Sequence, residues 1–249
     1  MPRLSTIKDL LDEIYLSEKP KKRTIWHKKQ QGIIIRGNDY VRKIAMCVNA
    51  TDETIKKARD IKADFLLAHN FDDIDDRSTE KKLECLKKSN MTLYVTGLLM
   101  DRAYVYGTDY VLARSLGLKC ITVLDKKNSR GIFGTPRAST YNMFLRRINW
   151  LTHAASEAHE NNSEDIKRVA IYSGMIPKKR IIDLSEDTGC DTLLCNTADF
   201  ATKTAAKDLG MNLIIANYTA TEILGLKALK NLIEELHSTD VILLDETLF

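Results

Sequence analysis

Long apolar runs are the first thing this chain lacks. No stretch approaches the roughly 18 apolar residues of a membrane helix. Cysteine is sparse: the five present are an odd number and form no CxxC pair. That argues against a disulfide framework and for a reducing cytoplasm. Cys47 and Cys120 sit inside apolar runs, where packing is their expected role. The opening residues, MPRLSTIKDLLDEIYL, alternate charge with apolar positions and carry no signal-type apolar block. Short catalytic signatures are missing too. There is no GxxxxGK(S/T) phosphate loop, no GxGxxG turn, no GxSxG elbow and no HExxH pair.

What is present is ordinary globular material. The 249 residues are 44% hydrophobic and 29% charged, enough for one or two domains with a full core. The net charge of +4 is uneven, because residues 19–29, KPKKRTIWHKK, hold six Lys/Arg and no acid. Lys21, Lys22 and Arg23 beside Trp26 could grip the phosphates of a nucleic acid. The plain alternative is a solvated linker after the first helix. No reader helix or zinc finger accompanies the run.

Periodicity organises the rest. Ile7, Leu10, Leu11, Ile14 and Tyr15 repeat at helical spacing. From residue 42, the strand-like runs KIAMCVNA, ADFLLAH, MTLYVTGLL and KCITVL alternate with the helix-like TDETIKKARDI, STEKKLECLKKS and TDYVLARSLG. This order predicts a parallel α/β sheet. The pattern then returns. RKIAMCVN (42–49) matches KRVAIYSG (167–174), ADFLLAHN (63–70) matches CDTLLCNT (190–197), and MTLYVTGLLMD (91–101) matches MNLIIANYTAT (211–221). Three matches in one order predict two similar α/β lobes related by internal duplication, each with a mostly parallel sheet flanked by helices. The lobes are expected at 1–125 and 126–249, with the C-terminal helix packing back on the first. Between the copies, the Gly131–Pro136 stretch reads as a connection and Met143–Ala158 as a helix.

Ligand-binding residues in parallel sheets gather beyond the carboxyl ends of strands. His69 and Asn70 end one predicted strand, Asp101 follows the next, and Tyr218 and Glu222 follow the equivalent strand of the second copy. Each has a plain reading as well. His69 can be a hydrogen-bonded core residue, Asn70 a turn residue, Asp101 an exposed loop acid and Tyr218 an aromatic anchor. Thr219 and Glu222 have the spacing of a capping box. The acidic turn Asp72, Asp73, Asp75 and Asp76 is expected to face water.

ADFLLAHN, LLMDRAYVYGTDYVLARSLGL and NYTATEILGLKALKNLIEEL together resemble the NIF-three-like proteins, often labelled GTP cyclohydrolase type 2 homologues. Trp26 followed by GIIIRG resembles that family's early Trp-Asp-Asn segment more loosely. The resemblance implies two α/β lobes, a two-metal site between them and a toroidal homohexamer built from dimers. It also implies ligand positions. A His-His pair becomes His69-Asn70, a His-x-x-x-Asp spacing becomes Gly97 to Asp101, and a His-x-x-x-Glu spacing becomes Tyr218 to Glu222. One implied metal then falls to Asn70, Asp101 and Glu222, an all-oxygen set suited to Mg²⁺, Mn²⁺ or Ca²⁺ rather than a zinc pair. The other falls to His69, Tyr218 and Glu222, where a neutral phenol is a poor ligand.

Three functions remain open. The first is a hydrolase-like enzyme with one divalent cation, which activates water while His69 carries protons. The second is a non-catalytic ring that keeps the fold after its site has decayed. The third is nucleic-acid binding through the 19–29 run.

Overall fold

The computed structural model describes residues 1–16, 31–71, 76–125 and 130–244. Along the chain the elements begin with α1 (Leu4–Leu16), β1 (Gly32–Ile35), β2 (Lys43–Asn49), α2 (Asp52–Asp60) and β3 (Phe65–Asn70). Next come α3 (Asp76–Lys88), β4 (Thr92–Val95), α4 (Leu98–Arg102), α5 (Thr108–Ser115), β5 (Lys119–Asp125) and β6 (Arg130–Thr135). Then follow α6 (Tyr141–Thr152), β7 (Glu157–His159), β8 (Val169–Met175), α7 (Lys178–Thr188) and β9 (Thr192–Thr197). The last are α8 (Phe200–Asp208), β10 (Asn212–Ile215), α9 (Tyr218–Leu236) and β11 (Asp240–Leu243). No helix among the described residues is long and apolar enough to cross a membrane.

The chain divides into two compact units, one of residues 1–106 with the chain from Gly225 onward, the other Gly107–Leu224. The first unit holds a five-stranded sheet in the order β1-β4-β3-β2-β11. Its pairings are parallel except for β1 against β4. Residues 44–48 of β2 and 65–69 of β3 are buried throughout, as a sheet covered on both faces requires. Thr51 opens α2 with a capping box shared with Thr54, which satisfies amide groups the helix cannot bond itself.

The second unit holds six strands in the order β5-β6-β8-β9-β10-β7. Its parallel core is β8-β9-β10, with antiparallel strands added on both sides. "Mostly parallel" therefore describes the first sheet and only the core of the second.

The duplication is legible in register. In the first unit Ile44 pairs with Phe65, and Phe65 with Thr92. In the second, Val169 pairs with Thr192, and Thr192 with Asn212, the positions that the sequence matches equate. A shared clamp accompanies the register. Asp64 Oδ2 accepts the backbone N–H groups of Arg42 and Lys43 at 2.9 and 3.3 Å. Asp191 Oδ2 accepts those of Lys167 and Arg168 at 2.7 and 3.3 Å.

Four local expectations give way. β5 joins the second sheet through β6, so the division falls after Tyr106 rather than after residue 125. All of the Gly131–Pro136 stretch but Pro136 lies in the strand β6, where Gly131 has φ +66 and an added Cβ would come within 2.7 Å of the Tyr172 ring. The second half of MTLYVTGLL turns into α4, because Gly97 at φ 50 breaks the strand. The helix expected to run to Ala158 stops at Thr152, where His153 adopts a left-handed conformation.

Candidate metal centre

Strand β3 carries His69 to the carboxyl edge of the first sheet and leaves it 2% exposed. The backbone there is pinned, since Gly97 N–H donates to the His69 carbonyl at 2.8 Å. Immediately after that bond the chain folds into α4, whose fourth residue is Asp101, also buried. His69 Nε2 then lies 3.6 Å from Asp101 Oδ1, beyond the usual hydrogen-bond range. On the other side of the ring, Nδ1 lies 3.5 Å from the Thr96 hydroxyl. Asp101 is therefore a buried helical residue, not the exposed loop acid its plain reading would have made it.

Glu222 stands near the start of α9 and is fully buried. The expected capping box with Thr219 does not form. Asn217 Oδ1 instead accepts the Ala220 N–H at 3.0 Å, so the helix begins earlier and Asn217 is its cap. The Glu222 carboxylate is engaged by a residue far away in sequence. Thr108 Oγ1 donates to Glu222 Oε2 at 2.7 Å. In the first unit His69 and Asp101 each offer one ligand atom, and in the second Glu222 offers one.

The donor set fits a cation. Two carboxylate oxygens and one imidazole nitrogen are ligands that a divalent ion accepts.

The other predicted residues fall differently. Asn70 Nδ2 donates to Asn49 Oδ1 at 3.1 Å, so its amide nitrogen is engaged within the first sheet. Tyr218 is the first residue of α9 and half-buried. Lys21, Lys22 and Arg23 lie outside the described residues, as do residues 72–75 of the acidic turn. Sequence reasoning passed over Thr108, Thr96 and Asn217. Asn217 had a signal, being a good cap residue immediately before a periodic run. Thr108 had only its place at a helix start, which does not reveal a partner 114 residues away.

The model of the family Duf34/NIF3 (NGG1p interacting factor 3) matches residues 4–247. The chain belongs to that family. A Pyrococcus abyssi protein named GTP cyclohydrolase 1 type 2 homolog is 30% identical over 229 residues, 88% of this chain and 90% of its own length. A Deinococcus radiodurans protein of the same name is 28% identical, over 82% of this chain and 80% of its own. Among solved structures, reduced HcgD from Methanocaldococcus jannaschii superposes with a TM-score of 0.82 at 22% identity, covering 98% of both chains. A Thermus thermophilus protein gives 0.82 at 22%, covering 99% of both. These two likenesses establish the fold.

Proposed function

We propose that this chain binds one divalent cation per molecule through His69, Asp101 and Glu222, and that the ion serves hydrolase-like chemistry. The observation that carries the reading is the buried pair of coordinating side chains in the first unit, His69 Nε2 at 3.6 Å from Asp101 Oδ1; Glu222 joins them on the ligand positions that the family resemblance implies. Asn70 is a fourth candidate: with its nitrogen given to Asn49, the group it has for a hard cation is its carbonyl oxygen. A bound ion of this kind supplies a Lewis acid and lowers the pKa of coordinated water. The chain's own part is to hold two carboxylates and an imidazole together away from bulk solvent. His69 is assigned to the ion rather than to proton transfer, because its Nε2 is the atom turned toward Asp101.

The ion expected is Mn²⁺ or Mg²⁺ rather than a pair of zinc ions. A zinc pair would draw on more imidazoles, and the positions of Asn70 and Tyr218 offer an amide and a phenol instead. Calorimetric titration of the metal-stripped protein with Mn²⁺ and Zn²⁺, alongside Asp101→Ala, tests this. One Mn²⁺ per chain, lost in the variant, is expected; two tight zinc ions per chain, or no binding at all, would overturn it.

A second reading is favoured by the same two residues. With imidazoles replaced at Asn70 and Tyr218, the protein serves as a non-catalytic assembly whose cation is structural. Absence of hydrolysis across phosphate and amide substrates by the Mn²⁺-loaded protein would select it. Family membership supports homo-oligomerisation, expected as a hexamer built from dimers under either reading. Light scattering that gives a stable monomer near 28.3 kDa at micromolar concentration would remove the ring.

A further inference from the structure

The start of α5 is built unlike an ordinary helix end. Its N-cap is Gly107, which offers no side-chain oxygen. Its first two residues, Thr108 and Asp109, are instead both buried, at 0% and 2% exposure. Asp109 Oδ1 accepts the Ser173 backbone N–H at 3.0 Å and the Ser173 hydroxyl at 2.6 Å. That pair of hydrogen bonds to β8 anchors the first turn of α5 against the sheet of its own unit. On this anchored turn, Thr108 directs its hydroxyl to Glu222 Oε2 at 2.7 Å.

A buried glutamate has three rotatable bonds and two equivalent oxygens, so a ligand role needs something to fix its orientation. A hydroxyl donor on a rigid element does so, and the positive end of the helix favours a carboxylate at that place. Threonine suits the task because its branched Cβ limits χ1 to few rotamers.

We propose that Thr108 is the positioning residue of the cation site. It holds the Glu222 carboxylate in the orientation that a metal takes, while the Asp109–Ser173 bonds hold Thr108. This inference rests on the single-cation reading above and adds to it a residue that is not itself a ligand. Removing an oriented outer partner of a metal ligand typically costs about 10–100-fold in metal affinity, and that is the loss expected for Thr108→Val.

The experiment is calorimetric titration of metal-stripped wild type, Thr108→Val and Thr108→Ser with Mn²⁺, with thermal unfolding of each in chelator. Thr108→Val is expected to bind Mn²⁺ about 10–100-fold more weakly, and Thr108→Ser, which keeps the hydroxyl, to recover affinity to within a few-fold of wild type. Unfolding midpoints in chelator should differ far less than the affinities. Unchanged affinity in a folded Thr108→Val overturns the positioning role and leaves the cation reading standing. No Mn²⁺ binding by wild type overturns both. Should Thr108→Val not fold, Thr108→Ala removes the hydroxyl without a branched methyl to accommodate. Loss of the fold in both variants would make the hydroxyl a structural requirement and overturn the inference.

Discussion

The ends of the matched strands in the two units share a backbone and differ in chemistry. In the first unit, β3 closes on His69 and the segment after β4 supplies Asp101. In the second, the corresponding places are Asn196 and Thr221, one residue past Cys195 and six past Ile215, as His69 and Asp101 stand to Ala68 and Val95. There Asn196 Nδ2 donates to Thr221 Oγ1 at 2.9 Å, and Asn196 Oδ1 accepts the Gly174 N–H at 2.9 Å. The neutral pair meets at hydrogen-bond distance, whereas the ionisable pair stands at 3.6 Å. An amide and a hydroxyl make a satisfied polar join between strand and helix. An imidazole and a carboxylate in the same places make a pair with coordinating atoms. At these matched places the scaffold repeats, but only the first copy carries an ionisable pair.

Converting the first pair into the second is the largest test. The double variant His69→Asn with Asp101→Thr should keep the fold and lose Mn²⁺ affinity by more than about 100-fold, beyond the usual cost of losing an outer partner. In chelator its unfolding midpoint should equal or exceed that of wild type, because replacing a buried ionisable pair by neutral groups is often neutral or stabilising. Retained affinity in the folded variant would show that these two residues are not the ligands.

The shared clamp offers a second contrast. Asp64 is 4% exposed and also receives the Arg42 guanidinium at 3.2 Å. Asp191 is half-buried and serves its two backbone amides nearer water. Asp64→Asn should cost about 1–3 kcal/mol, since it places an amide N–H₂ where an acceptor is required in buried surroundings. Asp191→Asn should stay within about 1 kcal/mol. Chemical denaturation of both variants checks the order, and equal losses would break the comparison.

The smallest effect is in the acid limb. Burial pushes the Asp64 carboxyl up, but hydrogen bonds from the Arg42 side chain and from the Arg42 and Lys43 amides outweigh it and hold the group below its ordinary value. A carboxyl depressed in the folded state contributes stability above its unfolded pKa of about 3.9 and loses it as pH falls through the lower folded value. Wild type should therefore lose part of its advantage over Asp64→Asn below about pH 4. Thermal unfolding at stepped pH reads it; parallel curves for the two proteins would count against the depressed carboxyl.

Much of this architecture was legible because its signals are local. The apolar runs at 44–48 and 65–68 dictate buried strands, and Ile7 and Leu11 dictate a buried helix face. The order of three matched segments anticipated two sheets with one register. What the sequence hid were features that depend on single backbone conformations, such as Gly97 turning a strand end into α4. Partners chosen across long separations were hidden too, as β5 joined β6 and left the first lobe.

The sequence by itself determined the alternation of strands and helices, the duplication, and the identities of the acid and imidazole side chains at strand ends, because each is a property of neighbouring residues. Only the tertiary structure decided that His69 and Asp101 stand 3.6 Å apart, that Asn217 and not Thr219 caps α9, and that Thr108 reaches Glu222. Those contacts form between segments up to 114 residues apart in the chain. Strand register and helix anchoring set them, and neither leaves a periodic trace in the residues that finally meet.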